Sequence, residues 1–321
     1  MKRLLSIIIT TLAVLGTPSV SAQVNLEAST TTGVLIGTSR ELVIDGSYIV
    51  SQLDWAMKPL VFTGSELRAS TPSGFLACIE VRSGVPGDTG RITDKDFLNY
   101  NGDVTHYSEH DCFTEGALLL DARLGWNFPL GDRIAVEPFA GFSVMRFKWT
   151  ARDGYLQYPP QPYPGPHTPW NHQTTPKVKV YGTGIVYQQT WYIPLAGVEA
   201  GIKLGDQFRA ALALGFSPYL WMNDLDNHEL RLVDFQGTLS GGLLLDPSLA
   251  LSWRLSERSR LSLDVGYRII WGLEGDTLAI GAGVVGDTGP ELDPGEWERY
   301  KGSAGTSFDA LSVSLSLVLS L

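Results

Sequence analysis

The chain has 321 residues, a formal net charge of −10, 35 glycines and 9 Trp, 12 Tyr and 12 Phe, a composition that favours strands and tight turns over helices. Its acidity excludes a basic nucleic-acid-binding face, and its 2 cysteines are too few for a disulfide scaffold. Beyond the N-terminus no run of about 18 apolar residues occurs, which excludes a helical membrane span.

The first residues, Met1-Lys2-Arg3 and an apolar run from Leu4 to Leu15, end in small residues at Ser21-Ala22. This pattern predicts an export signal over residues 1–22, leaving residues 23–321 as one domain with no internal repeat. Its removal takes away Lys2 and Arg3 and no acid, so the exported chain is more acidic still.

Period-two alternation then governs the chain. It is clearest where Leu261, Leu263, Val265, Tyr267, Ile269 and Trp271 alternate with Ser262, Asp264, Gly266 and Arg268. It recurs from Phe208 to Phe216 and around Leu118, Leu120, Ala122 and Leu124. This rule predicts about ten strands, near residues 25–38, 51–67, 75–84, 113–127, 133–151, 185–204, 207–223, 236–254, 260–273 and 308–321. Short connections alternate with long ones throughout, so all short turns fall at one end and all long loops at the other. The expected fold is all-β: a ten-stranded antiparallel transmembrane β-barrel with short periplasmic turns and long extracellular loops, in a bacterial outer membrane. Pro59, Pro138, Pro194 and Pro218 fall within strands and imply bulges or strand portions beyond the bilayer. Cys78 and Cys112 could pair in an oxidising compartment, although one lies low on its strand and the other at the rim of the next. Tyr158 to Pro169 reads as a polyproline-like arch, and His167 and His172 near it as solvated.

Acids predominate in the other four long loops. The cations there are Arg40, Arg91, Lys95, Arg231, Arg299 and Lys301. A negative mouth of this kind would concentrate cationic ligands, or merely keep an exposed surface solvated.

Two stretches in these loops carry possible chemistry. In Asp224-Leu-Asp-Asn-His228 an extended backbone puts Asp224, Asp226 and His228 on one face. Asp226 would fix the His228 ring and stabilise its protonated form, leaving the other nitrogen to take a proton from water. By itself such a turn is more often a solvated surface. In Asp94-Lys-Asp96 two acids again share a face; held close they tend to share one proton and hold a water. Parity counted from Phe208 would point Asp224, Asp226 and His228 at lipid, so a bulge or turn near Asn223 is required.

Val50-Ser-Gln-Leu-Asp-Trp55, Asp94-Lys-Asp96, Trp149-Thr-Ala-Arg-Asp-Gly154, Ile193-Pro194 with Gly197, and Asp224-Leu-Asp-Asn-His228 occur in order across most of the chain. Together they resemble the omptins, outer-membrane aspartyl proteases of Gram-negative bacteria. The resemblance implies Asp94 and Asp96 as catalytic acids, Asp226 and His228 as the dyad, and Glu41 and Asp224 as the pocket for a basic side chain before the cut. It also implies endoproteolysis of basic peptides or proteins, no metal or organic cofactor, and an active site facing the cell exterior. Ser108 and His110 match positions near the cleft, with Ser108 positional rather than nucleophilic. Where many omptins have an acid this chain has His106, which argues against a strict preference for a second basic residue after the cut. The family's lipopolysaccharide cluster retains Arg146, but Val144 and Thr190 replace two members, so activation by lipopolysaccharide is expected to be weak or absent. The alternative is a catalytically silent barrel acting as an adhesin or binding protein. Loss of a catalytic residue would favour it, and none is lost.

Overall fold

The computed structural model describes residues 24–160, 168–283 and 292–321. The expected signal segment, His167 and most of the proline-rich arch lie outside them.

Ten long staves close into one antiparallel barrel. They are β1 (Asn25–Asp45), β2 (Tyr48–Ser70), β3 (Phe75–Gly84, continued by Gly87–Asp96), β4 (His106–Trp126) and β5 (Ile134–Gln157). The others are β6 (Thr183–Leu204), β7 (Phe208–Ser217, continued by Leu220–His228), β8 (Val233–Arg254), β9 (Ser259–Gly281) and β10 (Trp297–Ser320). Two short strands, Phe128–Leu130 and Val178–Lys179, pair with β5 and do not add to the ring. β10 pairs with β1 from Glu27↔Ser320 to Val43↔Ala304, which closes the ring of described staves.

The staves run further than alternation suggested. Residues expected to form long loops are mostly ladder-bonded extensions: β1 and β2 pair as far as Asp45↔Tyr48, and β7 and β8 as far as His228↔Val233. Their sequences, such as Gly-Asp-Thr-Gly-Arg at residues 87–91, lack the apolar face that marks a half-buried strand. Here the ladder is solvated on its outer side and apolar alternation is not needed.

In the lower half the outward positions are apolar, including Leu124, Leu212, Leu214, Leu249 and Leu263. The inward positions are charged and paired. Arg68 meets Glu137, Arg260 meets Glu27, Arg209 meets Glu199, and Arg268 sits between Asp246 and Asp121. A lipid-facing wall around a polar interior is the arrangement a bilayer requires. Higher up, the interior is filled by fully buried aromatics. Trp55 stacks on Tyr187 at 5.0 Å and on Trp149 at 5.9 Å, and Phe147 bridges Trp149 and Phe308. This layer separates the charged lower interior, with its cavity of about 270 Å³, from the space above.

Between the halves, several staves reverse the face they turn inward. On β7 the buried residues are Ala211, Ala213 and Ser217 below, and Leu220, Met222 and Asp226 above. The pairing with β6 shifts by one residue, from Phe216↔Ala196 to Trp221↔Tyr192. The bulge therefore lies at Pro218-Tyr219, a few residues below the expected position near Asn223; Pro218 has no N–H for the ladder. The register shift opposite Pro59 does the same on β2, where Leu60 and Phe62 face inward below and Leu53, Trp55 and Met57 above. Pro138 and Pro194 instead sit in continuous ladder, opposite Val198 and Phe142.

Cys78 and Cys112 are unpaired. Cys78 lies opposite Arg123 on β4 and Cys112 is eleven residues further up that stave, roughly 35 Å at strand rise.

Candidate active site

Above the aromatic layer the barrel opens into a cavity of about 1090 Å³. Glu41, Asp94, Asp96, Asp224, Asp226 and His228 all line it, so the structure brings together every residue expected to act on a substrate.

Pairing between staves sets their positions. Asp94 lies opposite Leu53 and Ser108, and Asp96 opposite Ser51 and His106, so alternation carries both carboxyls inward from β3. Ser51 donates to Asp94 Oδ1 at 3.2 Å. The segment Val50 to Trp55 thus has a physical role for most of its members. Ser51 holds an acid, Leu53 is buried, Trp55 is the floor, and on the outer wall Asp54 binds Arg40 at 2.6 Å and Gln52 at 2.9 Å.

On β7, His228 Nε2 lies 2.7 Å from Asp226 Oδ2, and the ring meets Phe235 edge-on. With Nε2 engaged, Nδ1 is the nitrogen left to accept a proton. Asp226 is almost wholly buried and its Oδ1 has no partner.

Asp224 accepts the Gly237 N–H at 2.5 Å on Oδ1 and the Tyr187 hydroxyl at 3.2 Å on Oδ2. Tyr187 in turn accepts from Gln189 Nε2 at 2.8 Å, and Gln189 Oε1 accepts from Ser39 and from the Trp191 indole. Gly237 is required here for contact as well as for its N–H: a Cβ at that position would lie 2.3 Å from Asp224 Oδ1. Glu41 is held from β1, and its buried Oε2 has no hydrogen-bond partner.

The electrostatics follow from gathering acids out of water. Burial, then the charge of Asp96, pushes the Asp94 carboxyl up to about 7, against the pull of His228 and Ser51. Burial raises Asp96 as well. Burial also lifts Asp224 to about 7, with Gly237 N–H pulling the other way, and lifts Glu41 well above the carboxylate range, helped by Asp226 and Asp224. Burial alone would make His228 a weaker base; the charge and hydrogen bond of Asp226 outweigh it and raise its proton affinity. The site therefore has acids that readily keep a proton beside an imidazole that readily takes one.

Several contacts were not visible in the sequence. His110 Nε2 lies 3.2 Å from Ser108 Oγ, while its Nδ1 meets the Asp153 carbonyl at 2.5 Å. That carbonyl is presented by a bulge in β5, where Asp153 and Gly154 both have positive φ and the pairing with β4 shifts, and a Cβ on Gly154 would strike the Glu109 carbonyl at 2.0 Å. Tyr187, Gln189 and Gly237 were missed because nothing local distinguishes them from ordinary strand residues. His106 packs edge-on against Tyr158 at 4.9 Å beside Asp96. His172, exposed, bonds Thr174. Arg146 is on the outer wall, not in the cavity, and donates to Gln188 at 2.6 Å; its ladder partner is Thr190. Among the described residues no three His, Cys, Asp or Glu side chains converge at metal-ligand spacing.

The Omptin family model matches residues 22–316. The plasminogen activator of Yersinia pestis is 27% identical over 241 residues, covering 70% of this chain and 69% of that protein. Among solved structures, the outer membrane protease OmpT from Escherichia coli superposes with a TM-score of 0.81 at 16% identity, covering 95% of this chain and 99% of that one. The ten-stave architecture is thus shared at low sequence identity.

Proposed function

The chain belongs to the omptin family, and on that premise we propose that it is an outer-membrane endopeptidase that cleaves peptides or proteins beside a basic residue, with its site facing the cell exterior. The observation that carries this reading is the meeting, in one cavity, of the Asp94/Asp96 pair with the Asp226–His228 dyad. The family match and the protease named among similar structures support the hydrolytic class.

In this mechanism a water lies between the acid pair and His228. Nδ1 of His228 removes its proton as the oxygen attacks the peptide carbonyl, and Asp226 stabilises the imidazolium that forms. The acid pair shares a proton, which it donates as charge develops on the tetrahedral species and takes back as the carbonyl re-forms, while the imidazolium protonates the leaving amine on collapse. Glu41, with its unpartnered oxygen, and Asp224 receive the cationic side chain before the cut. A carboxyl whose proton affinity is raised by burial regains its charge when a cation arrives, so the pocket favours basic side chains over neutral ones.

The Ser108–His110 contact favours a second reading, in which Ser108 is the nucleophile. Against it, His110 is backed by a carbonyl instead of a carboxylate. Both readings are tested in detergent, with and without lipopolysaccharide, on an Arg-Arg or Lys-Lys peptide. Asp226→Ala and His228→Ala are expected to lose at least about 10³-fold in kcat, and Ser108→Ala less than about tenfold. If wild type cuts no faster than Asp226→Ala or His228→Ala, the proteolytic reading fails; if Ser108→Ala is the dead variant, the serine reading replaces it.

A further inference from the structure

Of the stretches that mark this chain, Trp149-Thr-Ala-Arg-Asp-Gly154 is the one to which the mechanism gives no role. Its last two residues form the bulge in β5. The ladder with β4 passes from Glu109↔Tyr155 to Asp111↔Arg152, so His110 alone stands opposite both Asp153 and Gly154. There Asp153 and Gly154 hold φ of 56° and 104°, a region that L side chains resist. Several contacts keep them in it. The Asp153 N–H donates to the Gly182 carbonyl at 2.8 Å, Asp153 Oδ1 accepts the Gly182 N–H at 3.0 Å, and the Gly154 carbonyl accepts the Val180 N–H at 3.1 Å. Beside them Arg152 donates to Asp88 at 3.1 Å and rests over the Phe113 ring at 4.3 Å. A backbone in this region persists where its surroundings over-determine it, and the result here is one carbonyl aimed at His110.

A carbonyl oxygen only accepts, so the contact with Asp153 puts a proton on His110 Nδ1. In the neutral ring Nε2 is then bare and accepts from the Ser108 hydroxyl 3.2 Å away. With its hydrogen drawn to His110, Ser108 has only lone pairs to offer other partners. Ser108 and His110 both line the cavity, and Ser108 is the ladder neighbour of Asp94 on β3. Its oxygen is thereby an acceptor beside the acid pair. The reverse tautomer would make Ser108 a donor at the same point.

We propose that the Asp153-Gly154 bulge is a tautomer lock: it holds His110, a positioning residue, with its proton on Nδ1, so that Ser108 accepts one O–H of the water that the acid pair and His228 activate. The inference rests on the proteolytic reading and deepens it by giving the second hydrogen of that water a partner.

Nitrogen-15 spectra of the five histidines in the full barrel in detergent, with His110→Gln identifying the His110 signals, read the lock directly. At about pH 8, above the ordinary histidine range, wild type should show His110 protonated at Nδ1 and bare at Nε2. Ser108→Ala should keep that tautomer and lose about three- to tenfold in kcat with KM within about twofold, because the water is oriented for the chemical step and not for binding. Gly154→Ala, whose Cβ would meet the Glu109 carbonyl at 2.0 Å, should displace the bulge, mix the tautomers and slow kcat by a similar factor. Combined with Ser108→Ala it should add nothing, since it acts through Ser108. Should Gly154→Ala not fold, His110→Leu takes its place: it should match Ser108→Ala and add nothing to it, while His110→Gln, whose amide oxygen accepts from Ser108, stays within about twofold of wild type. A His110 ring protonated at Nε2, a Ser108→Ala variant as fast as wild type, or losses that multiply in the double variant each overturn the proposal and leave the proteolytic reading standing. A wild type that cuts neither the Arg-Arg nor the Lys-Lys peptide fails the proteolytic reading, and the inference falls with it.

Discussion

Asp94 and Asp224 are carboxyls placed out of water without an ion-paired cation, and both have their proton affinity lifted to about 7. An unfolded chain would ionise them near 3.8. Since the folded value is above the unfolded one, burying these groups costs nothing below about pH 4, costs progressively more as pH rises, and reaches its full cost above about pH 7. Asp94→Asn and Asp224→Asn should therefore stabilise the barrel by about 1–3 kcal/mol at pH 8, with the gain vanishing by pH 4. Denaturant midpoints in detergent at the two pH values measure this. A loss of stability at pH 8 in both variants would show that the acids are held by contacts and not merely tolerated. His228 has the opposite sign: its raised proton affinity contributes stability that is complete below about pH 6.5 and is lost as pH climbs past its folded value.

At the scale of the element, the interruption at Pro218-Tyr219 decides which face of β7 lines the upper cavity. Deleting Tyr219 should restore the lower register and turn Asp224, Asp226 and His228 outward, leaving a folded, heat-modifiable barrel with no measurable proteolysis. Retained activity would mean that parity is corrected elsewhere. The same feature marks the limit of what could be read from sequence. Alternation identified ten staves because the lower walls separate lipid from a polar interior, and it placed Asp94, Asp96, Asp226 and His228 at one end. It could not locate the bulge, because a one-residue slip leaves the alternating pattern intact on both sides and only changes its phase. It underestimated strand length, because the solvated extensions carry no apolar face. Ser51, Tyr187, Gln189 and Gly237 were unreadable for another reason: their roles depend on which staves meet, pairing Ser51 with Asp94, Tyr187 and Gly237 with Asp224, and Gln189 with Ser39.

The whole molecule divides into a lower half that resides in lipid and an upper half that holds the site, with the Trp55, Trp149, Tyr187 and Phe147 layer between them. That layer gives the acids a rigid, low-dielectric floor and so contributes to their raised proton affinities. Closure of the ring then brings β3, β7 and β1 around one cavity, where the Asp94/Asp96 pair and the Asp226–His228 pair, the two halves of the proposed catalytic apparatus, are brought together from distant strands. If the halves activate one water, removing either half should remove the function of the other. The most direct test is a double-mutant cycle in kcat/KM on a basic peptide, using Asp94→Asn, His228→Ala and the two combined. The account predicts that each single variant loses at least about 10³-fold and that the double variant is no worse than the poorer single. A double variant whose loss equals the product of the two, or a single variant within about tenfold of wild type, would contradict it.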